Sequence, residues 1–153
     1  MPPTLPLVAL LLAADPAPLT TASVTGAVRF EGPLLVQCSA ARPGGAAGAP
    51  GPSGWQLRGG SPGRDASGAY LRLSYRHPTA KVAGRQEVGP GGGSLSIEYS
   101  PREGAPFTSY FGVPGASKVT LSPDFKTATV EASLSSATSD DPVASVKAQV
   151  VCQ

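Results

Sequence analysis

The chain holds one His, two Cys, one Met and one Trp among its 153 residues, and that scarcity restricts its chemistry before any pattern is sought. With His77 as the single imidazole no multi-histidine metal centre can form, and two thiols without a supporting histidine cluster make a poor zinc site. No GxSxG is present, and His77 precedes Pro78 at what reads as a strand end, so a hydrolase built on it is the weaker reading. The glycine run Gly89-Pro90-Gly91-Gly92-Gly93-Ser94 lacks the Lys-Ser/Thr ending of a phosphate-binding loop and leads into a strand pattern, not a helix. Charged residues make up only 14% and the net charge is +2, which excludes a disordered polyelectrolyte and argues against a specific nucleic-acid binder. No run of about 20 apolar residues exists, so no membrane-spanning helix is expected. Carboxylates are scattered except for Asp140-Asp141 beside Pro142, where a calcium ion is conceivable and a solvated turn is the plainer reading. No metal, cofactor or catalytic residue is expected.

Glycine and proline, in contrast, are abundant. Gly 19 and Pro 17 are together 36 of 153 residues, just below the ~25–30% at which low-complexity chain becomes the default. Part of the chain is therefore expected to be irregular, although the length suffices for one domain with its own core.

Leu5 to Ala14, LPLVALLLAA, is too short to cross a bilayer and has the length of a secretory h-region, followed by small residues and the extended Pro16-Ala17-Pro18. Residues 1–14 thus read as a signal peptide and 15–22 as a spacer, although Met1 to Thr4 carries no Lys or Arg. Cys38 and Cys152 are too far apart for a CxxC pair. Each falls on the apolar face of a strand pattern, Leu34, Val36, Cys38 in one and Val146, Ala148, Val150, Cys152 in the other, so a disulfide is expected in an oxidising compartment. This distant pair and the terminal strand resemble the pattern of small exported bacterial envelope proteins over roughly the last third of the chain, without a diagnostic motif.

Period-two alternation recurs along the body of the chain. Ser23 to Glu31 and Leu34 to Ser39 are joined by a Gly32-Pro33 turn; Ala69 to Arg76 points Leu71, Leu73 and Tyr75 inward; Leu95, Ile97 and Tyr99 share a face. Ser109 to Val113, Lys118 to Leu121, Thr127 to Leu134 and Ser145 to Cys152 complete the set, with turns at Ser122-Pro123-Asp124 and Asp140-Asp141-Pro142. Seven to eight short strands and no helical stripe after Ala14 predict an all-β fold, an antiparallel β-sandwich of Ig-like architecture over residues 23–153. A flexible Gly/Pro-rich insertion is expected over 40–68, too poor in apolar surface to order itself. Within it Gly45, Gly48, Gly51 and Gly54 recur every third position, but Leu57 breaks a run far too short for a collagen helix. Trp55 reads as an anchor folded back on the sheet.

Charge supplies the one functional slant. Arg58, Arg64, Arg72, Arg76, Lys81 and Arg85 stand against Asp65 alone between 58 and 86, while the chain from Glu87 onward has four basic and seven acidic residues. With Tyr70 these six cations form a candidate anionic-ligand patch, although arginine on the wet face of a strand is also ordinary. The sequence thus points to a monomeric, secreted or envelope-associated binding or structural module. Its partner would be an extracellular protein or polysaccharide; a small hydrolase using His77, or a module gripping an anionic polymer through the 58–86 segment, are the alternatives.

Overall fold

A computed structural model describes residues 20–41, 54–77 and 83–153. The signal peptide, most of the spacer and residues 42–53 of the insertion lie outside them. Among the described residues nine strands occur in chain order: β1 (Thr20–Gly26), β2 (Phe30–Ala41), β3 (Gly54–Gly60), β4 (Tyr70–His77), β5 (Gly84–Glu87), β6 (Ser94–Ser100), β7 (Thr108–Leu121), β8 (Thr127–Ser136) and β9 (Pro142–Val151).

The expected sandwich is not what these strands build. They hydrogen-bond in the order β7-β6-β4-β3-β2-β1-β9-β8, and β8 pairs back onto β7, so the sheet closes into an eight-stranded antiparallel barrel. The ninth, β5, adds no stave. It pairs with residues 118–121 of β7 while β6 pairs with residues 108–111, so the two lie end to end as one interrupted strand. A sandwich and a small barrel share the same alternation of inward apolar and outward polar residues; what separates them is the pairing of first and last strands, here β1 with β9 from Thr21↔Gln149 to Gly26↔Ala144. Alternation along one strand carries no information about that pairing.

Inward positions are apolar and outward positions polar, the reverse of a membrane-embedded barrel. The interior is filled. Trp55, Leu57, Leu71, Leu73, Tyr75, Leu95 and Ile97 come from β3, β4 and β6, and diametrically opposite them β8, β9 and β1 supply Ala128, Ala132, Ala144, Ala148 and Ala22. Bulky residues on one half thus meet small ones on the other, which is how a narrow barrel packs without voids.

Local departures from the sequence reading have local causes. The first hairpin turns at 26–29, not at Gly32-Pro33: Gly26 takes φ +111° and lies so close to β9 that a Cβ there would stand 2.7 Å from the Val143 carbonyl oxygen. Pro33 lies within β2, opposite Thr21, where β3 has not yet joined; β2–β3 pairing starts at Leu35↔Gly60. A missing N–H is tolerated at such a position. β1 begins inside the expected spacer, and β3 runs through the expected insertion, held between β2 and β4. Trp55 accordingly belongs to a strand and points into the core.

Cys38 and Cys152 are bonded, with Cα atoms 5.3 Å apart and a sequence separation of 114. The bridge ties the end of β2 to the residue after β9, where Val36 and Cys152 also form an isolated parallel bridge and the Gln153 N–H donates to the Val36 carbonyl at 3.0 Å. No helix of the described residues is long and apolar enough to cross a membrane.

Candidate ligand-binding face

The expected cationic patch divides. On β4 the alternation sends Tyr70, Arg72, Ser74 and Arg76 outward, and the register places Ser74 beside Arg58 of β3, Arg76 beside Gln56, and Arg72 beside Gly60. Arg58, Arg72 and Arg76 therefore share the outer wall formed by β3, β4, β6 and β7. Arg64 does not join them. It sits in the loop after β3, where its guanidinium donates to the Gly68 carbonyl at 2.8 Å and to Ser100 Oγ at 3.4 Å. Arg85 lies on β5, donating to Glu87 at 2.6 Å, and Lys81 falls outside the described residues.

Arg72 is the organised member of the group. Its Nη1 stands 3.5 Å from Glu98 Oε2, and both side chains are about half exposed, so the pair adds little to stability. Its Cζ lies 4.4 Å from the centre of the Phe107 ring and 5.8 Å from that of Tyr70, and the two rings meet edge to face with centroids 5.8 Å apart. The arrangement is a cation–π cluster lying on the outside of the barrel. Because Gly60 has no side chain, the Tyr70 hydroxyl rests over it, 3.2 Å from where a Cβ would be.

One row further along, Arg58, Ser74, Ser96 and Phe111 follow one another across the four strands. With Arg72, Glu98 and Ser109 they enclose a depression of about 220 Å³. Phe107 and Phe111 are each 42% exposed, two of the few large apolar side chains left in water. Among the described residues Arg58 has no ion-pair partner. The sequence reading missed both phenylalanines and the serines. Their signal was present: Phe111 falls on the polar side of its strand's alternation, and a large apolar residue there is out of place unless it packs on something.

The opposite wall differs. Over β1 a groove of about 580 Å³ is bordered by Thr21, Ser23, Glu31, Glu131 and Lys147. Charges there are mixed, and beside the groove Lys118 Nζ, reaching from β7, donates to Glu131 of β8 at 2.8 Å; that hydrogen bond and charge, helped by Lys147 and Arg85, hold the Glu131 carboxyl below its ordinary value.

Comparison with protein families, curated proteins and solved structures yields no match. The functional reading therefore rests on this chain's own geometry. His77 ends β4 opposite Trp55, and Asp140 and Asp141 lie exposed in the turn before β9. Among the described residues no group of three or more His, Cys, Asp or Glu is placed to hold a metal ion.

Proposed function

We propose that the protein acts outside the cytoplasm as a non-enzymatic binding module, and that the β3-β4-β6-β7 wall holds a strand of acidic polysaccharide. The observation that carries this reading is the shared outward projection of Arg58, Arg72 and Arg76 from adjacent strands, flanked by the exposed rings of Phe107 and Phe111. Guanidinium groups match carboxylates with paired hydrogen bonds. Outward Ser74, Ser96 and Ser109 suit sugar hydroxyls, and the phenyl faces suit the C–H faces of pyranose rings. A nucleic acid is less well served, because the net charge is only +2 and Arg72 already shares its charge with Glu98. The filled interior leaves the outer wall as the place to bind. Export is supported by the Leu5 to Ala14 stretch and by a long-range disulfide, a bond that persists in oxidising compartments.

Isothermal titration with polygalacturonate provides the test. Wild-type protein is expected to bind, more weakly as salt rises from about 0.01 to 0.15 M. Arg58→Ala with Arg76→Ala should lower affinity by about tenfold or more, and Lys147→Ala on the opposite wall should leave it unchanged. Absence of binding at low salt, or equal binding by the double variant, would refute the reading.

A further inference from the structure

The depression on the β3-β4-β6-β7 wall contains an acid. Arg58 and Arg72 are its cations, and Glu98 is the one carboxylate among the described residues that enclose it. Register accounts for the placement: Arg72 and Glu98 are direct partners across β4 and β6, and Glu98 faces Ser109 of β7 on its other side, while Arg58 stands one row along with β4 between. At about 220 Å³ the depression is smaller than the ~300 Å³ at which small-molecule sites begin, so it accommodates one segment of a longer chain.

Two observations make Glu98 more than a counter-ion. Arg72 does not depend on it for placement, because its guanidinium carbon already lies 4.4 Å from the centre of the Phe107 ring and 5.8 Å from that of Tyr70. The ion pair is also loose. At 3.5 Å it is longer than a charge-assisted hydrogen bond of ~2.7–2.9 Å, and with both side chains about half exposed it adds little to stability. A carboxylate that neither anchors its arginine nor holds the fold is left to a ligand. It offers about four acceptor positions, which suit sugar hydroxyls, and its charge repels any anion brought beside it.

We propose that Glu98 is the specificity-determining residue of this face: it accepts hydroxyls of the bound chain and turns away densely charged polyanions, so that the face takes a polyuronate, with one carboxylate and free hydroxyls on each sugar, in preference to a sulfated polymer. This specificity rests on the polysaccharide reading above, which it narrows to one class. Arg58, the cation set apart from Glu98, meets a uronate carboxylate, and hydroxyls of the adjoining sugar reach Glu98 and Ser109. A sulfate ester in that second position would stand against a like charge.

Isothermal titration of the full chain with polygalacturonate and with dextran sulfate, at one low salt concentration, gives the ratio of the two affinities and tests the assignment. Glu98→Gln keeps the shape and loses the charge, and should shift that ratio towards dextran sulfate by about tenfold or more. Glu98→Asp keeps the charge and should hold the wild-type ratio to within about threefold. Thermal midpoints of both variants should lie within about 2 °C of wild type, because the exposed pair contributes little to the fold. A Glu98→Gln variant with the wild-type ratio, or a Glu98→Asp variant shifted as far as Glu98→Gln, would overturn the role of Glu98 and leave the polysaccharide reading standing. No binding of polygalacturonate by the wild type would overturn both.

Discussion

The two halves of the barrel wall are built to different standards of regularity. Through β9, β1 and β2 the pairing runs unbroken, the inward residues next to β8 are alanine and valine, and the disulfide closes the end of the half. Through β4, β6 and β7 the inward residues are large, one stave is split into β5 and β6, and β7 bulges at the split. The outward residues follow suit. The regular half is faced by Thr21, Ser23, Glu31 and Lys147, and the irregular half carries Arg72 paired with Glu98 beside two phenyl rings in water. Uniform ladders hold a fold together; interruptions in them create concave surface and leave side chains unspent on packing.

The contrast can be broken most forcefully at the staple. Replacing Cys38 and Cys152 by Ala should lower unfolding free energy by about 4 kcal/mol, the loop-closure value for more than 100 residues, as read by denaturant titration. A change below about 1 kcal/mol would mean that the β1–β9 pairing needs no covalent support.

At the split between β5 and β6, Gly93→Ala is expected to cost about 2 kcal/mol, since the new methyl meets the buried Tyr75 ring. Gly63→Ala, where an added Cβ meets nothing within 4 Å, should be nearly neutral. Equal thermal midpoints for the two variants would show that the split stave is loose, not tightly packed.

Tyr75 sharpens the comparison from inside. Its hydroxyl is the one buried side-chain polar atom among the described residues without a hydrogen-bond partner, and burial pushes its pKa up to about 12. Tyr75→Phe should therefore stabilise the fold by about 1 kcal/mol at neutral pH. The neutral hydroxyl is favoured in the folded state, so its contribution is intact below the ordinary value of 10 and is lost as pH climbs towards 12. Wild type should lose stability relative to Tyr75→Phe across that window; parallel pH curves would mean that the hydroxyl titrates at its ordinary value and is not desolvated by folding.

The smallest effect is expected at Asp65, in the loop between β3 and β4. Burial raises its carboxyl, but the Ser67 hydroxyl and the N–H groups of Ala69, Glu31 and Ser67 donate to it and hold it below 3.8. Its contribution is present above that value and fades as pH falls through the lowered one. Asp65→Asn should cost about 1 kcal/mol or less at pH 7, and the difference from wild type should vanish in acid.

The alternation of Leu71, Leu73 and Tyr75, of Ala128 to Leu134, and of the two cysteine-bearing strands was readable from the chain, because period two directly encodes which face is wet. Closure was not readable, since the β1–β9 and β7–β8 pairings join segments far apart in sequence. β3 was hidden because Gly54, Gly59 and Gly60 resemble a loop in composition; only neighbours on both sides make them a strand. Within the candidate face, Arg72, Arg76 and Tyr70 were legible as outward residues of one strand. Arg58 depended on the unseen β3, and the involvement of Phe107, Glu98 and Phe111 depended on the β4–β6–β7 register. Arg64 and Arg85 were grouped with them by sequence proximity alone, and the fold sends them elsewhere.

Backbone chemical-shift mapping with an oligogalacturonate decides most directly whether the irregular half is the working surface. Shifts concentrated at Arg58, Arg72 to Arg76, Ser96 to Glu98 and Ser109 to Phe111, with β1, β8 and β9 silent, are the predicted result. Shifts confined to the groove over β1, or none at ligand excess, would contradict it.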